Sequence, residues 1–124
     1  MSHTVVIADD DADIRQLVTI AAKKAGLTIV AVVHDGAEAL EAIRTHRPDL
    51  AILDIAMPEL SGVEVCRAVR ADDSIGDVRI ALLSASVDEA AVEVGITAGA
   101  DYFFAKPFSP RDLTAWLAVG KEAR

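Results

Sequence analysis

Few residues in this chain could do chemistry together, and most of them are acids placed at the ends of apolar runs. The stretch "TVVIADDDADIR" (4–15) passes from β-branched residues straight into Asp9, Asp10 and Asp11. Neighbouring carboxylates repel, so the cluster costs free energy unless a cation, a helix N-terminus or solvent offsets it. A further acid, Asp54, lies at the end of "LAILDI" (50–55). Ser84 follows "VRIALL" (78–83), and Lys106 follows "DYFFA" (101–105). Asp9, Asp10 and Asp54 with a hydroxyl and a lysine suit a hard cation held by oxygen ligands, with a phosphoryl group facing the lysine. Taken singly, each is ordinary. An acidic strand end is more often a helix cap than a metal site, and a lone lysine is most often at the surface. Everything depends on whether the fold gathers them.

The apolar pattern changes period in a regular way. Five short runs, at 4–8, 27–33, 50–55, 78–83 and 101–105, predict strands, and each is followed by helical spacing. After the first run, Ile14, Leu17, Val18, Ala21 and Ala25 recur at steps of three and four, and Gly26 ends the pattern. Asp11 is placed to cap this helix, with Asp13 in the first turn favoured by the macrodipole. "DGAEALEAIRTHRP" opens on Asp35 as N-cap, has Glu38 three residues on, and closes before Pro48. "SGVEVCRAVRAD", "VDEAAVEVGITAGA" and "SPRDLTAWLAVGKEAR" predict three more helices, the last capped by Ser109. The runs at 50–53 and 80–83 are apolar throughout, as in strands covered on both faces. Five β–α pairs predict one α/β domain over residues 1–124, a mostly parallel sheet between two helical layers. Ligands of such sheets bind beyond the carboxyl ends of the strands. On that edge the loops after strands one, three, four and five bring Asp9, Asp10, Asp54, Ser84 and Lys106 together.

The remaining composition is that of a globular chain. At 124 residues it can bury one hydrophobic core. The net charge of −8 argues against general nucleic-acid affinity, which relies on a basic surface. No apolar stretch reaches the length needed to cross a bilayer, and the N-terminus lacks a signal peptide's apolar region. A single cysteine, Cys66, excludes an internal disulfide and fits a reducing cytoplasm. It shares an apolar helical stripe with Val69 and reads as packing. The stripe Leu113, Trp116, Leu117 reads mainly as core. His3, His34 and His46 show no partner set in the sequence and are assigned no role.

Over essentially its whole length the chain resembles the receiver domain of two-component response regulators. The motifs that carry the resemblance are "VIADDDADIR", "PDLAILDIAMPELSG", "LLSAS" and "FFAKPF", and their order and spacing together are specific. It implies a flavodoxin-like (βα)5 sheet in the order 2-1-3-4-5. It implies that Asp54 accepts a phosphoryl group from the phosphohistidine of a sensor histidine kinase or phosphotransfer protein. Mg²⁺ would be held by Asp10, Asp54 and the backbone carbonyl of Ala56, with Asp9 reaching it directly or through water. Lys106 would pair with the phosphoryl oxygens and Ser84 would hydrogen-bond them. Phe103 stands at the switch aromatic, and a cis peptide precedes Pro107. Ala56 and Ser86 flank the path of the hydrolytic water. Neither offers a long polar side chain, which implies slow loss of the phosphoryl group.

The function so implied is a phosphorylation-driven switch whose helix four, strand five and helix five surface, roughly 88–124, is read by a downstream protein or output domain. The domain would catalyse its own modification without a separate turnover substrate, and so would not be an enzyme. Its expected partners include no nucleic acid bound directly and no membrane. The main alternative is a Mg²⁺-dependent phosphohydrolase with an aspartyl-phosphate intermediate. Such enzymes place an acid two residues after the nucleophile, where this chain has Ala56. A flavin or nucleotide module would need Gly, Ser or Thr in the first loop, which is acidic here.

Overall fold

The computed structural model describes residues 3–85 and 88–122. Five strands alternate with five helices: β1 (Thr4–Ala8), α1 (Ala12–Lys24), β2 (Thr28–Val33), α2 (Gly36–His46), β3 (Leu50–Asp54), α3 (Gly62–Ala71), β4 (Arg79–Ser84), α4 (Glu89–Thr97), β5 (Tyr102–Ala105) and α5 (Pro110–Glu122). The strands form one parallel sheet in the order β2-β1-β3-β4-β5. Strand order reverses between β1 and β3, and a ligand crevice opens at such a point.

The period-2 alternation of the strands divides the core in two. Val6, Ala8, Ala51, Leu53, Ile80 and Leu82 face one side and pack against α2 and α3 through Leu40, Ile43, Val65, Cys66 and Val69. Val5, Ile7, Leu50, Ile52, Ala81, Leu83 and Phe104 face the other and pack against α1 and α5 through Val18, Ala21, Ala22, Leu113 and Leu117. β3 is buried at every position, including its last residue, Asp54. Each fully buried Val, Leu or Ile contributes about 1.5–3 kcal/mol of burial, so the central strands form a stiff support for the loops at their carboxyl ends.

The helices start where the sequence places caps. Asp11 accepts hydrogen bonds from the backbone N–H groups of Asp13 and Ile14, and Asp35 accepts one from that of Glu38. Ser109 accepts from the backbone N–H of Asp112 at 3.3 Å. Ser61 and Glu64 complete a reciprocal capping box at α3. α4 is the exception in packing. It is apolar in composition yet buries only Gly95.

Candidate functional site

The site is built on the ends of β1, β3 and β4 and the start of the segment after β5. Asp9 follows β1 and is fully buried, and Asp54 closes β3 with 4% of its surface exposed. Asp10, next in the chain, is exposed to solvent. One carboxylate oxygen from each of the three lies within 4.8 Å of the others. Lys106 reaches in from beyond β5, its Nζ 3.0 Å from Asp9 Oδ2 and 3.1 Å from Asp54 Oδ1. Its backbone N–H donates to the Ser84 carbonyl at 2.8 Å, which ties the lysine to the end of β4. Ser84 itself is buried and lines the same cavity of about 430 Å³ as Asp10, Asp54, Ala56 and Lys106.

Local backbone contacts fix these side chains. Asp9 Oδ1 accepts the Asp11 N–H at 2.9 Å, so the other oxygen is the one left to meet Lys106. The Ala56 N–H donates to Asp54 Oδ1 at 3.4 Å. Gly62, at the start of α3, lies so close to the end of β3 that a Cβ there would come 2.5 Å from the Asp54 carbonyl oxygen. The Lys106–Pro107 peptide is cis.

The electrostatics follow from burial. Asp54 is pushed up from 3.8 to about 6, first by burial and then by repulsion from Asp9, with Lys106 and the Ala56 N–H pulling the other way. Burial would lower Lys106, but its contacts with Asp9 and Asp54 outweigh that, and it is held above its usual value and charged. Three carboxylates against one ammonium leave two negative charges in a partly buried cleft. Asp9 Oδ2 is buried without a well-angled hydrogen bond, so the nearby ammonium is a charge contact that leaves this oxygen under-satisfied. Oxygen donors with that residual charge fit a hard divalent cation of the Mg²⁺ type.

Not every residue singled out in the sequence joins this cluster. Phe103 lies on β5, packed against the core on the α4 side, and lines a separate cavity of about 420 Å³ with Val92, Ile96 and Tyr102. Ser86 falls outside the described residues. Cys66 is buried, its thiol donates to the Ala98 carbonyl at 3.3 Å, and burial pushes it up to about 11. Sequence reasoning missed Arg15, whose Nη1 donates to the Asp9 carbonyl at 2.7 Å and braces the acidic loop from α1. The signal was present in "DDDADIR", where a residue one turn into the helix can reach back over its own N-terminus. It also left His34 without partners. The structure sets His34 3.7 Å from Asp35 and 3.4 Å from Glu38, the latter an i,i+4 neighbour on an exposed helix start.

Residues 5–118 match the response regulator receiver domain family. The chain belongs to that family. This receiver domain is 40% identical over 115 residues to the DNA-binding response regulator MtrA of Mycobacterium tuberculosis, covering 93% of this chain and 49% of that protein. Among solved structures it is similar to the signal receiver domain of the response regulator NarL from M. tuberculosis, with a TM-score of 0.88 at 34% identity and 97% of both chains covered. It is also similar to the chemotaxis response regulator CheY4 of Vibrio cholerae, with a TM-score of 0.87 at 30% identity, covering 97% of this chain and 99% of that one. The fold and the family that the motifs implied are thus both found, and a receiver domain is a signalling module rather than a turnover enzyme.

The expectation about nucleic acid needs correction. The chain spans about half the length of the curated relatives it matches, and these carry the name DNA-binding response regulator. A net charge of −8 describes only these 124 residues and cannot exclude nucleic acid from the partners of a longer regulator. Among the described residues, no helix is long and apolar enough to cross a membrane.

Proposed function

We propose that this receiver domain is the phosphorylation-activated switch of a cytoplasmic two-component system, with Asp54 as phosphoacceptor. The observation that carries the proposal is the convergence of Asp9, Asp10 and Asp54 within 4.8 Å, with the Lys106 ammonium 3.0–3.1 Å from two of them. An ionised Asp54 oxygen attacks the phosphorus of a phosphohistidine on a histidine kinase or phosphotransfer protein. The new O–P bond forms as the N–P bond breaks, and the bonding pair returns to the imidazole nitrogen. Positioning and charge neutralisation dominate phosphoryl transfer, so the residues need to orient and stabilise rather than react further.

Asp9, Asp10, Asp54 and the Ala56 carbonyl would hold Mg²⁺, which when bound supplies positive charge to the phosphoryl oxygens. Lys106 is placed to follow Asp54's oxygen onto the phosphoryl group as a point charge. Ser84, at the end of β4, donates its hydroxyl to a phosphoryl oxygen, and Phe103 on the neighbouring strand responds to that movement. The altered α4, β5 and α5 surface is then read by a downstream protein. In a longer regulator like the relatives named above, that reader is a DNA-binding output domain in the same chain.

The phosphoryl group is lost slowly. Ala56 lines the cavity but has no polar side-chain atom with which to orient a water. Ala56→Asn should speed the loss of phosphate from purified protein by about tenfold, the order of a positioning effect on a water. An unchanged or slower loss would mean that solvent access, rather than orientation, limits the reaction. That same Ala56 stands against the phosphohydrolase alternative, which needs an acid at this position. The test of the proposal is incubation with phosphoramidate and Mg²⁺. Wild type should gain one phosphoryl group by intact mass and Asp54→Ala none. Equal labelling of both would reject Asp54.

A further inference from the structure

Resting on the switch reading above, we propose that Gly95 is a positioning residue. It seats α4 directly on the Phe103 ring, so that the ring's orientation sets how firmly α4 is held. Short of its C-terminal end, α4 buries nothing else. Val94 and Ile96 are exposed, and Gly95 is its sole buried residue. A Cβ at Gly95 would lie 2.6 Å from Phe103 Cε2, 3.0 Å from Phe103 Cδ2 and 3.1 Å from Leu82 Cδ1. The ring therefore occupies the space that any larger residue would need, and only glycine lets helix and ring approach so closely. Glycine in a helix interior weakens the helix itself, so its presence here costs α4 intrinsic stability in exchange for this contact.

The far end of α4 is fixed independently. Arg70, on α3, donates from Nε to the Gly99 carbonyl at 2.9 Å and from Nη1 to the Val78 carbonyl at 2.7 Å. Its Nη2 pairs with Asp101 Oδ2 at 3.0 Å, an oxygen that also accepts the Ile80 N–H. The C-terminal end of the helix is thus clamped to α3, β4 and the start of β5. The Gly95–Phe103 contact lies between that clamp and the helix N-terminus. Phe103 pairs with Leu82 across the β4–β5 ladder, and Ser84 lies two residues along β4. The geometry makes α4 a lever, hinged at Arg70 and resting on Phe103.

Deuterium exchange of α4 amides in unmodified protein, measured across a double-mutant cycle, decides the matter without invoking phosphorylation. Gly95→Ala should accelerate exchange about tenfold, because overpacking against the ring outweighs the better helix propensity of alanine. Adding Phe103→Leu should restore most of the protection by making room, and rescue of a poorly folded Gly95→Ala protein would support the proposal in the same way. Slower exchange in Gly95→Ala would overturn it, since propensity alone would then account for the effect. So would additive effects of the two substitutions, which would mean that Gly95 does not act through Phe103. Beryllofluoride with Mg²⁺ separates this from the switch reading. If the cycle is non-additive but α4 exchange in wild type ignores beryllofluoride, the seat stands and the proposed activation does not.

Discussion

In the proposed transfer Asp54 must be an anion to attack phosphorus, yet its burial and the neighbouring Asp9 penalise that charge. Burial and the Asp9 charge push it up to about 6, so in metal-free protein it gains a proton as pH falls through that value. The labelling rate with phosphoramidate should therefore drop below about pH 6, and rising Mg²⁺ should move the fall to lower pH. A rate that stays flat from pH 8 to pH 5 without such a shift would contradict this environment for Asp54. The stability effect has the opposite sense to that of a salt-bridged acid. Because the folded value lies above the unfolded one, the folded state binds more protons between about pH 4 and pH 6. Asp54 thus destabilises the metal-free fold increasingly as pH rises through that window, and the effect is complete above it. A rise from 3.8 to about 6 caps the cost at roughly 3 kcal/mol, before any relaxation around the charge. Asp54→Asn should recover part of it, read as a higher metal-free denaturation midpoint at pH 7.5 and no gain at pH 4.

At the scale of elements, the loop between β3 and α3 joins Asp54, the proposed phosphoacceptor, to the helix that follows it. Glu59 in the loop and Gly62 at the first position of α3 pull in opposite directions. Glu59 has φ of 71°, a left-handed conformation that costs a side-chain-bearing residue about 1–2 kcal/mol. Glu59→Gly should relieve that strain and, after glycine's greater unfolded-state entropy, stabilise the domain by about 0.5–1 kcal/mol in denaturant unfolding. Gly62→Ala should destabilise it by about 3 kcal/mol or more, because the added Cβ meets the Asp54 backbone itself. Equal and small effects of both would mean that the loop is too pliant to position Asp54. The elements themselves were readable from sequence, since the period of "TVVIA" and "LAILDI" and the caps Asp11, Asp35 and Ser109 belong to single segments. What a single segment does not encode is contact with another. Arg70 clamping Gly99 and Glu59's backbone strain both depend on the assembled chain.

For the whole molecule, the candidate site was legible because the parallel α/β fold sends every strand's carboxyl end to one edge. Once five β–α units are recognised, Asp9, Asp54, Ser84 and Lys106 must lie near one another. Whether nucleic acid is among the partners was not legible, since a domain's net charge says nothing about what a longer regulator binds. The same acidic edge makes stability a report on cation binding. A ligand that binds only the folded state at one hundred times its Kd stabilises by about 2.7 kcal/mol, or roughly 10 °C in Tm for a domain of this size. Mg²⁺ should produce such a rise in wild type and much less of one in Asp10→Asn. No rise in wild type would remove Mg²⁺ from the site. The most direct test of the central claim is to locate the acyl phosphate itself. Protein treated with phosphoramidate and Mg²⁺ is reduced with borohydride, which converts a phosphorylated aspartate to homoserine, and is then mapped by peptide mass spectrometry. Homoserine at position 54 alone is the expected result. Homoserine at position 9 or 10, or at no position in protein that has gained phosphate, would contradict it.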